Sequence, residues 1–212
     1  MGYYINNEFE TYESWMADLI IFDLLNQARR SVSEINNRIL ECIHRSPRTD
    51  VNIQIRPVKN SDIYLLQDFF SSLYDETLYN RYHSARKVMS YEQLQKFITI
   101  DYRKEMIILA LANDGGIEEV VGLGEYRITR KSLIADIALT VRDDCQNKGI
   151  GRELFNYLTE IAQNAGILGF TAEVLADNNS VNHMSENSGI EFEKEISQGI
   201  STLSMLFETK IS

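Results

Sequence analysis

Two glycines stand one residue apart at the point where a strand pattern turns into a helix pattern. The run from Leu133 to Val141 is typical of a strand, the run from Ile150 to Ala165 has the apolar spacing of a helix, and Gly149 and Gly151 lie at their junction. Glycine lets the backbone approach a ligand without side-chain bulk. The first amides of a helix have no partner within it and carry the positive end of its dipole. The junction therefore predicts an anion-binding loop, whose usual occupant is a phosphate or pyrophosphate.

The spacing around the glycines excludes two familiar phosphate-binding loops. A Rossmann fingerprint needs a third glycine three residues after Gly151, where this chain has Leu154. A P-loop needs Gly-Lys followed by Ser or Thr, whereas Lys148 precedes the first glycine here. What remains is the pattern Q-x-x-G-x-G, which begins at Gln146.

Strand and helix patterns alternate along residues 51–212. Helices are predicted to begin near Ser61, at Ser90 with Gln93 as its capping partner, and at the glycine loop. The predicted strands are residues 51–58, 106–112, 120–128, 133–141, 169–175, 191–197 and 201–207. This order predicts a single mixed α/β domain over residues 51–212.

The first 50 residues have a different pattern. Apolar residues recur at helical steps from Trp15 to Ile43, and Ser46-Pro47-Arg48-Thr49-Asp50 is typical of a helix end and a short linker. We therefore expect residues 1–50 to form a helical extension. Such a helix could pack on its own domain, pair with a second copy in a homodimer, or bind another protein.

Charge and cysteine content limit the classes of partner and compartment. The formal net charge is −10, which disfavours nucleic acid as a partner and favours cationic amines or lysine-rich protein surfaces. No apolar run approaches the roughly 20 residues that span a bilayer, so we expect no membrane association. Cys42 and Cys145 are too few for a disulfide or zinc framework. We therefore expect a cytoplasmic protein that holds no metal.

The glycine pattern and several other segments resemble one family. Q-x-x-G-x-G is the acetyl-CoA signature of the GNAT-type N-acetyltransferases, and residues 51–210 resemble the catalytic domain of the bacterial protein lysine acetyltransferases within that family. The matching segments are Phe69 to Leu73 with Glu76 and Tyr79, Ile100 to Met106, Ala135 to Ala138, Val141 to Asp144, and Ala172 to Asn178. The resemblance implies the GNAT fold, a mixed, mostly antiparallel sheet flanked by helices.

The resemblance also implies an activity and a cofactor site. The expected activity is acetyl transfer from acetyl-CoA directly to a primary amine, with a protein lysine as the favoured acceptor. A small-molecule amine acetyltransferase and a catalytically silent acyl-CoA-binding domain are the alternatives. The pantetheine arm would pair with a strand that splays from its neighbour, at Leu139, Thr140 and Val141, and would contact Asn178. The pyrophosphate would bind at Gln146, Asn147, Lys148, Gly149, Ile150, Gly151 and Arg152.

Three residues are candidates for catalysis. Asp136 is a lone charge among small and apolar strand residues, and it matches the glutamate that the subgroup is taken to use as general base. Its shorter side chain favours proton transfer through a water. Glu125 is the second candidate, with a structural salt bridge to Arg127 or Arg130 as its alternative role. Ser185 stands where many GNAT enzymes have a tyrosine acid, and a surface serine is its alternative. The N–H of Leu139 is the expected oxyanion donor, and Cys145 is expected to be structural.

Overall fold

The structure is a computed structural model that describes residues 44–45, 53–82, 89–128, 133–175 and 192–207. Its strands form one sheet in the order β1-β2-β3-β4-β5-β6-β8-β7. The strands are β1 His44–Arg45, β2 Ile53–Pro57, β3 Glu105–Asp114, β4 Ile117–Ile128, β5 Ile134–Val141, β6 Gly169–Leu175, β7 Glu193–Ser197 and β8 Ile200–Leu206. Neighbouring strands are antiparallel except β5 and β6, which are parallel. The predicted mixed, mostly antiparallel sheet is therefore confirmed.

Helices cover the sheet on both faces. They are α1 Ile63–Ser72, α2 Asp75–Tyr82, α3 Tyr91–Ile98 and α4 Ile150–Asn164. The capping box at the start of α3 is present as predicted, because the Ser90 side chain accepts from the Gln93 N–H and the Gln93 side chain accepts from the Ser90 N–H. Helix α2 was not predicted. Its signals in the sequence are Asp75 and Glu76 in the first turn and Arg81 in the last, which complement the helix dipole.

Consecutive residues of β3 enter two different cores because side chains alternate across a strand. Met106 and Ile108 belong to the core under α4, which also contains Leu154 and Leu158 of that helix. Ile107 and Leu109 belong to the opposite core, with Leu66, Phe69 and Phe70 of α1 and Leu94 of α3. The central strands are thus buried on both faces, which fixes the glycine loop at one edge of a rigid sheet.

The sheet extends past the predicted domain boundary at residue 50. His44 and Arg45 pair with Ile55 and Gln54 of β2, so two residues of the predicted extension join the sheet. The rest of that extension lies outside the described residues, and its helix and its pairing role stay predictions. Asn178 and Ser185 also lie outside the described residues. In the described part of the chain, no helix is both long enough and apolar enough to cross a bilayer.

Candidate active site

Strands β5 and β6 lie side by side only at their beginnings. Their paired positions are Ile134 with Gly169, Ala135 with Phe170 and Asp136 with Thr171. Beyond these pairs β5 continues to Val141 on the β4 side, whereas β6 continues to Leu175 paired with β8. The two strands therefore diverge and leave a V-shaped opening with Asp136 and Thr171 at its apex.

The backbone of β5 offers hydrogen-bonding groups to this opening. The Arg142 N–H donates to the Val121 carbonyl on β4 at 3.0 Å. Because the direction of these groups alternates along an antiparallel strand, Leu139 and Val141 point theirs away from β4 and into the opening. Thr140, whose register partner is Leu123, directs its backbone towards β4 instead. Of the three predicted positions, the structure places the backbone of two at the opening.

The glycine loop lies at the end of β5. A 3-10 turn over Asp143–Cys145 leads into it, and Gly149 is the N-cap of α4 with φ 82°. Asn147 also has a positive φ, of 60°. The first helical hydrogen bond runs from the Glu153 N–H to the Gly149 carbonyl at 3.1 Å, so the N–H groups of residues 150–152 precede the helical ladder. Free N–H groups at the start of a helix suit an anion.

Gly149 and Gly151 differ in why a glycine suits each position. Gly149 adopts a left-handed conformation that side chains disfavour. At Gly151 a Cβ atom would meet only the Val141 Cγ2 atom, at 3.7 Å, within a 4 Å radius. Packing therefore does not require a glycine at residue 151, and an added side chain would enter space that the fold leaves open.

Polar side chains hold the loop together. The Lys148 Nζ donates to the Asp144 carbonyl at 2.9 Å, and the Gln146 side chain donates to the Val141 carbonyl at 3.3 Å. Arg152 is exposed on the first turn of α4. Arg142 pairs through its Nε with Asp144 at 2.7 Å and through its Nη1 with Glu119 at 2.9 Å. Its hydrogen bond lowers the pKa of the Asp144 carboxyl.

Asp136 is exposed at the apex of the opening. Its Oδ1 atom accepts a hydrogen bond from the Thr171 hydroxyl at 2.5 Å. The predicted orientation of Asp136 agrees with its register, because Ala135 and Ile137 on either side belong to the core under α4. Asp136 therefore lies on the opposite face of the sheet.

Glu125 lies on the same face as Asp136, one strand away. It pairs with Ala138, two residues from Asp136, which places the two carboxylate residues about 7–8 Å apart across the strands. The Glu125 carboxylate accepts a hydrogen bond from the Arg81 guanidinium of α2 and is 20% exposed. Burial raises the pKa of Glu125, and the charge of Arg81 opposes that rise.

Glu125 forms a salt bridge, as its alternative role expects, but Arg127 is the wrong partner, because Arg127 binds the Glu105 carboxylate instead. The Nε of Arg127 donates to the Glu105 Oε2 at 3.0 Å across β3 and β4. Arg130, the other expected partner, lies outside the described residues. The partner that sequence reasoning missed is Arg81, since it belongs to the helix that was not predicted.

Cys145 is buried at 5% exposure beneath the loop. Burial raises the pKa of its thiol, which keeps it in the unreactive protonated form near neutral pH.

Within the described ranges, no group of three or more His, Cys, Asp or Glu residues could hold a metal ion. The site combines three features: an opening lined by strand amides, a helix N-terminus that suits an anion, and the Asp136 carboxylate at the point where β5 and β6 diverge.

This arrangement agrees with the comparisons with known proteins. Residues 67–189, more than half of the chain, match the family described as "Acetyltransferase (GNAT) family". The Acetyltransferase Pat of Mycolicibacterium smegmatis is 27% identical over 189 residues, which cover 85% of this chain and 56% of Pat. Acetyltransferase PA5475 of Pseudomonas aeruginosa is 27% identical over 115 residues, which cover 54% of this chain and 62% of that protein. The chain thus spans less than two thirds of the length of either curated relative.

A solved structure shows the same fold. The crystal structure of the GNAT domain of S. lividans PAT superposes with a TM-score of 0.64 at 23% sequence identity. The match covers 73% of this chain and 90% of that domain.

Proposed function

Because this chain belongs to the acetyltransferase (GNAT) family, we propose that it transfers an acetyl group from acetyl-CoA directly to a primary amine, and that a protein lysine is its preferred acceptor. The observation that carries this proposal is the opening between β5 and β6, with the glycine loop at its wide end and Asp136 at its apex. A thioester carried on a long amide-containing arm that ends in a pyrophosphate fits an opening of this shape.

Different residues of the opening bind different parts of acetyl-CoA. Leu139 and Val141 supply strand-type backbone hydrogen bonds to the amide groups of the pantetheine arm. The amides of residues 150–152 and the helix dipole bind the pyrophosphate, with Gln146, Asn147, Lys148 and Gly149 shaping the loop around it.

The chemistry requires an acceptor amine that has lost its proton, because a free lysine is almost wholly protonated at neutral pH. Asp136 accepts this proton, directly or through a water, and the amine nitrogen then attacks the thioester carbonyl. The Leu139 N–H donates to the carbonyl oxygen as negative charge develops on it. A nitrogen–carbon bond forms, the carbon–sulfur bond breaks, and CoA departs as a thiolate. The second proton, which the nitrogen loses as the amide forms, passes through solvent to that thiolate.

The choice of acceptor rests on the sequence and the charge of the site. Segments from Phe69 to Asn178 resemble the protein lysine subgroup. Asp136 puts an exposed carboxylate on the acceptor face, whereas the charge of Glu125 is balanced by Arg81. The exposed carboxylate favours a cationic acceptor such as a lysine side chain. A polyamine or another small amine carries the same charge and is the second candidate.

Release of free thiol from acetyl-CoA tests the proposal. The purified chain would be incubated with acetyl-CoA and, in separate reactions, with spermidine, an amino sugar and a mixture of lysine-rich proteins, and the proteins would be searched by mass spectrometry for acetyl-lysine. We expect protein-dependent thiol release and acetylated lysines. Turnover of a small amine without protein acetylation would overturn the preferred acceptor.

Asp136→Asn separates an enzyme from a silent binding domain. We expect this variant to lower kcat roughly a hundredfold to ten-thousandfold while acetyl-CoA affinity stays within about twofold. The matched control is Asp68→Asn, the same change at an exposed carboxylate of α1, which should turn over as the wild type does. Binding of acetyl-CoA without turnover on any acceptor, unchanged by Asp136→Asn, would contradict the enzyme assignment.

A further inference from the structure

Helix α2 is short and has contacts with distant parts of the chain at both of its ends. Among its described side chains only Leu78 is fully buried, at 1% exposure, whereas Asp75, Glu76 and Tyr79 are exposed. A helix of eight residues is too short to be stable by itself in water. Contacts at the beginning and end of α2 therefore add to the packing of Leu78 in holding the helix in place.

The beginning of α2 is capped by a residue from a distant part of the chain. The Asp143 Oδ2 atom accepts the Tyr74 N–H at 2.8 Å, and its Oδ1 atom accepts the Thr77 hydroxyl at 2.6 Å. Leu78 then donates the first helical hydrogen bond, to the Tyr74 carbonyl at 3.0 Å. A carboxylate at this position satisfies a donor that the helix leaves over and complements its dipole.

Asp143 is also hydrogen-bonded to the glycine loop. It is the first residue of the 3-10 turn between β5 and the loop, and its Oδ1 atom accepts from the Gln146 side chain at 3.4 Å. The same Gln146 side chain donates to the Val141 carbonyl. A continuous series of hydrogen bonds thus runs from the edge of the opening, through Gln146 and Asp143, to the start of α2.

The other end of α2 reaches the acceptor face. Arg81, in the last turn, binds the partly buried carboxylate of Glu125 on β4. Glu125 lies diagonally across from Asp136. Helix α2 therefore spans the distance between the glycine loop and the face on which the acceptor amine is expected.

We propose that Asp143 is a positioning residue that transmits CoA binding to α2, so that occupancy of the glycine loop steadies the Arg81–Glu125 pair beside the acceptor. The inference rests on the proposed function, because it takes CoA as the occupant of the loop. Binding at residues 146–152 fixes the turn that carries Asp143, and a fixed turn loses less conformational freedom when it caps α2.

Hydrogen–deuterium exchange of the α2 amides, measured with and without CoA, tests this link. We expect CoA to slow exchange in residues 75–82 about fivefold in the wild type, the factor that corresponds to one capping interaction. Thr77→Val removes the hydroxyl that binds Asp143 and lies outside the loop. It should still bind CoA by calorimetry, at most about fivefold more weakly because the coupling is reciprocal, and lose the CoA-dependent slowing.

Three further variants control the measurement. Thr77→Ser keeps the hydroxyl and should keep the CoA-dependent slowing, whereas Asp143→Asn, which weakens the cap from the other side, should reduce it. Asp68→Asn makes the same change at an exposed carboxylate of α1, outside the glycine loop and the cap of α2, and should respond to CoA as the wild type does.

The outcomes separate this inference from the proposed function. Equal slowing in Thr77→Val and in the wild type would overturn the role of Asp143, as would CoA binding that leaves α2 exchange unchanged in the wild type. Failure of the wild type to bind CoA in the calorimeter would instead refute the proposed function, and this inference with it.

Discussion

Thr171 donates its hydroxyl hydrogen bond to Asp136 at 2.5 Å across the last paired position of β5 and β6. This contact fixes one carboxylate oxygen of Asp136 where the two strands begin to diverge. Because Asp136 is exposed, its second oxygen can meet a water or an acceptor amine. Thr171 is thus placed to orient the proposed general base without contacting the substrates itself.

Thr171→Val tests this orientation, since valine keeps the shape of threonine and removes the hydroxyl. We expect kcat to fall about tenfold, because a hydrogen bond to a charged group is lost, while the KM for acetyl-CoA stays within about twofold. Thr171→Ser restores the donor and should restore most of the rate. Steady-state thiol release with both substrates varied separates the two parameters.

The same substitution in an Asp136→Asn background isolates the pair. If Thr171 acts through Asp136, Thr171→Val should lower kcat almost no further in a protein that already carries Asp136→Asn. An equal tenfold loss in both backgrounds would mean that Thr171 supports the strand and not the base.

Gly151→Val tests the glycine loop as the pyrophosphate site. A Cβ atom at residue 151 has room in the fold, with Val141 Cγ2 as its neighbour at 3.7 Å, so we expect a folded variant. The added side chain occupies the space beside the helix amides and should weaken acetyl-CoA binding at least about a hundredfold, as measured by calorimetry. Wild-type affinity in a variant with an unchanged melting temperature would place the pyrophosphate elsewhere.

A substitution at Gly151 tests pyrophosphate binding more directly than one at Gly149. Gly149→Val should also abolish binding, but it forces a β-branched residue into a backbone with φ 82°. A loss of affinity there combines strain with obstruction. Gly151→Ala, with a smaller side chain, should fall between the wild type and the valine variant.

Cys145→Ala tests direct transfer. The Cys145 thiol is buried and its pKa is raised, so it is a poor nucleophile, and the proposed reaction needs no acyl-enzyme. We expect kcat within about threefold of the wild type, and no acetylated Cys145 in the intact protein after a single turnover. Loss of all turnover in a folded variant would favour a covalent intermediate.

The parts of the site that could be predicted from sequence are those set by local backbone chemistry. The glycine spacing, the strand before it and the lone charge of Asp136 are all readable within 20 residues, and the structure places them together. The capping box at Ser90 is local as well, and its two hydrogen bonds are present.

The parts that could not be predicted depend on contacts between distant segments. Asp143 is 66 positions from Thr77, and Arg81 is 44 from Glu125. Helix α2 has a weak apolar pattern, because Leu78 alone among its described side chains is fully buried. Local sequence offers Glu125 two nearby partners, Arg127 and Arg130, but the register places Glu105 opposite Arg127, and the partner that Glu125 binds is the distant Arg81.

The environment of Glu125 makes a prediction about stability and pH. Burial raises its pKa in the folded protein above the ordinary value of 4.5, in spite of the opposing charge of Arg81. Between the ordinary pKa and the raised one, the folded state binds more protons than the unfolded state. The free energy of unfolding therefore falls as pH rises through that window, and levels off above it.

Glu125→Gln isolates this contribution, because glutamine resembles the protonated acid and does not titrate. We expect the variant and the wild type to melt at nearly the same temperature near pH 4.5, and the variant to become the more stable of the two as pH rises to about 8. Thermal unfolding across that pH range measures the difference in melting temperature between the two proteins. Because the other carboxylates are the same in both, their titration cancels in this difference. A wild type that gains stability over the variant with rising pH would mean that the Arg81 ion pair outweighs the cost of burying the charge.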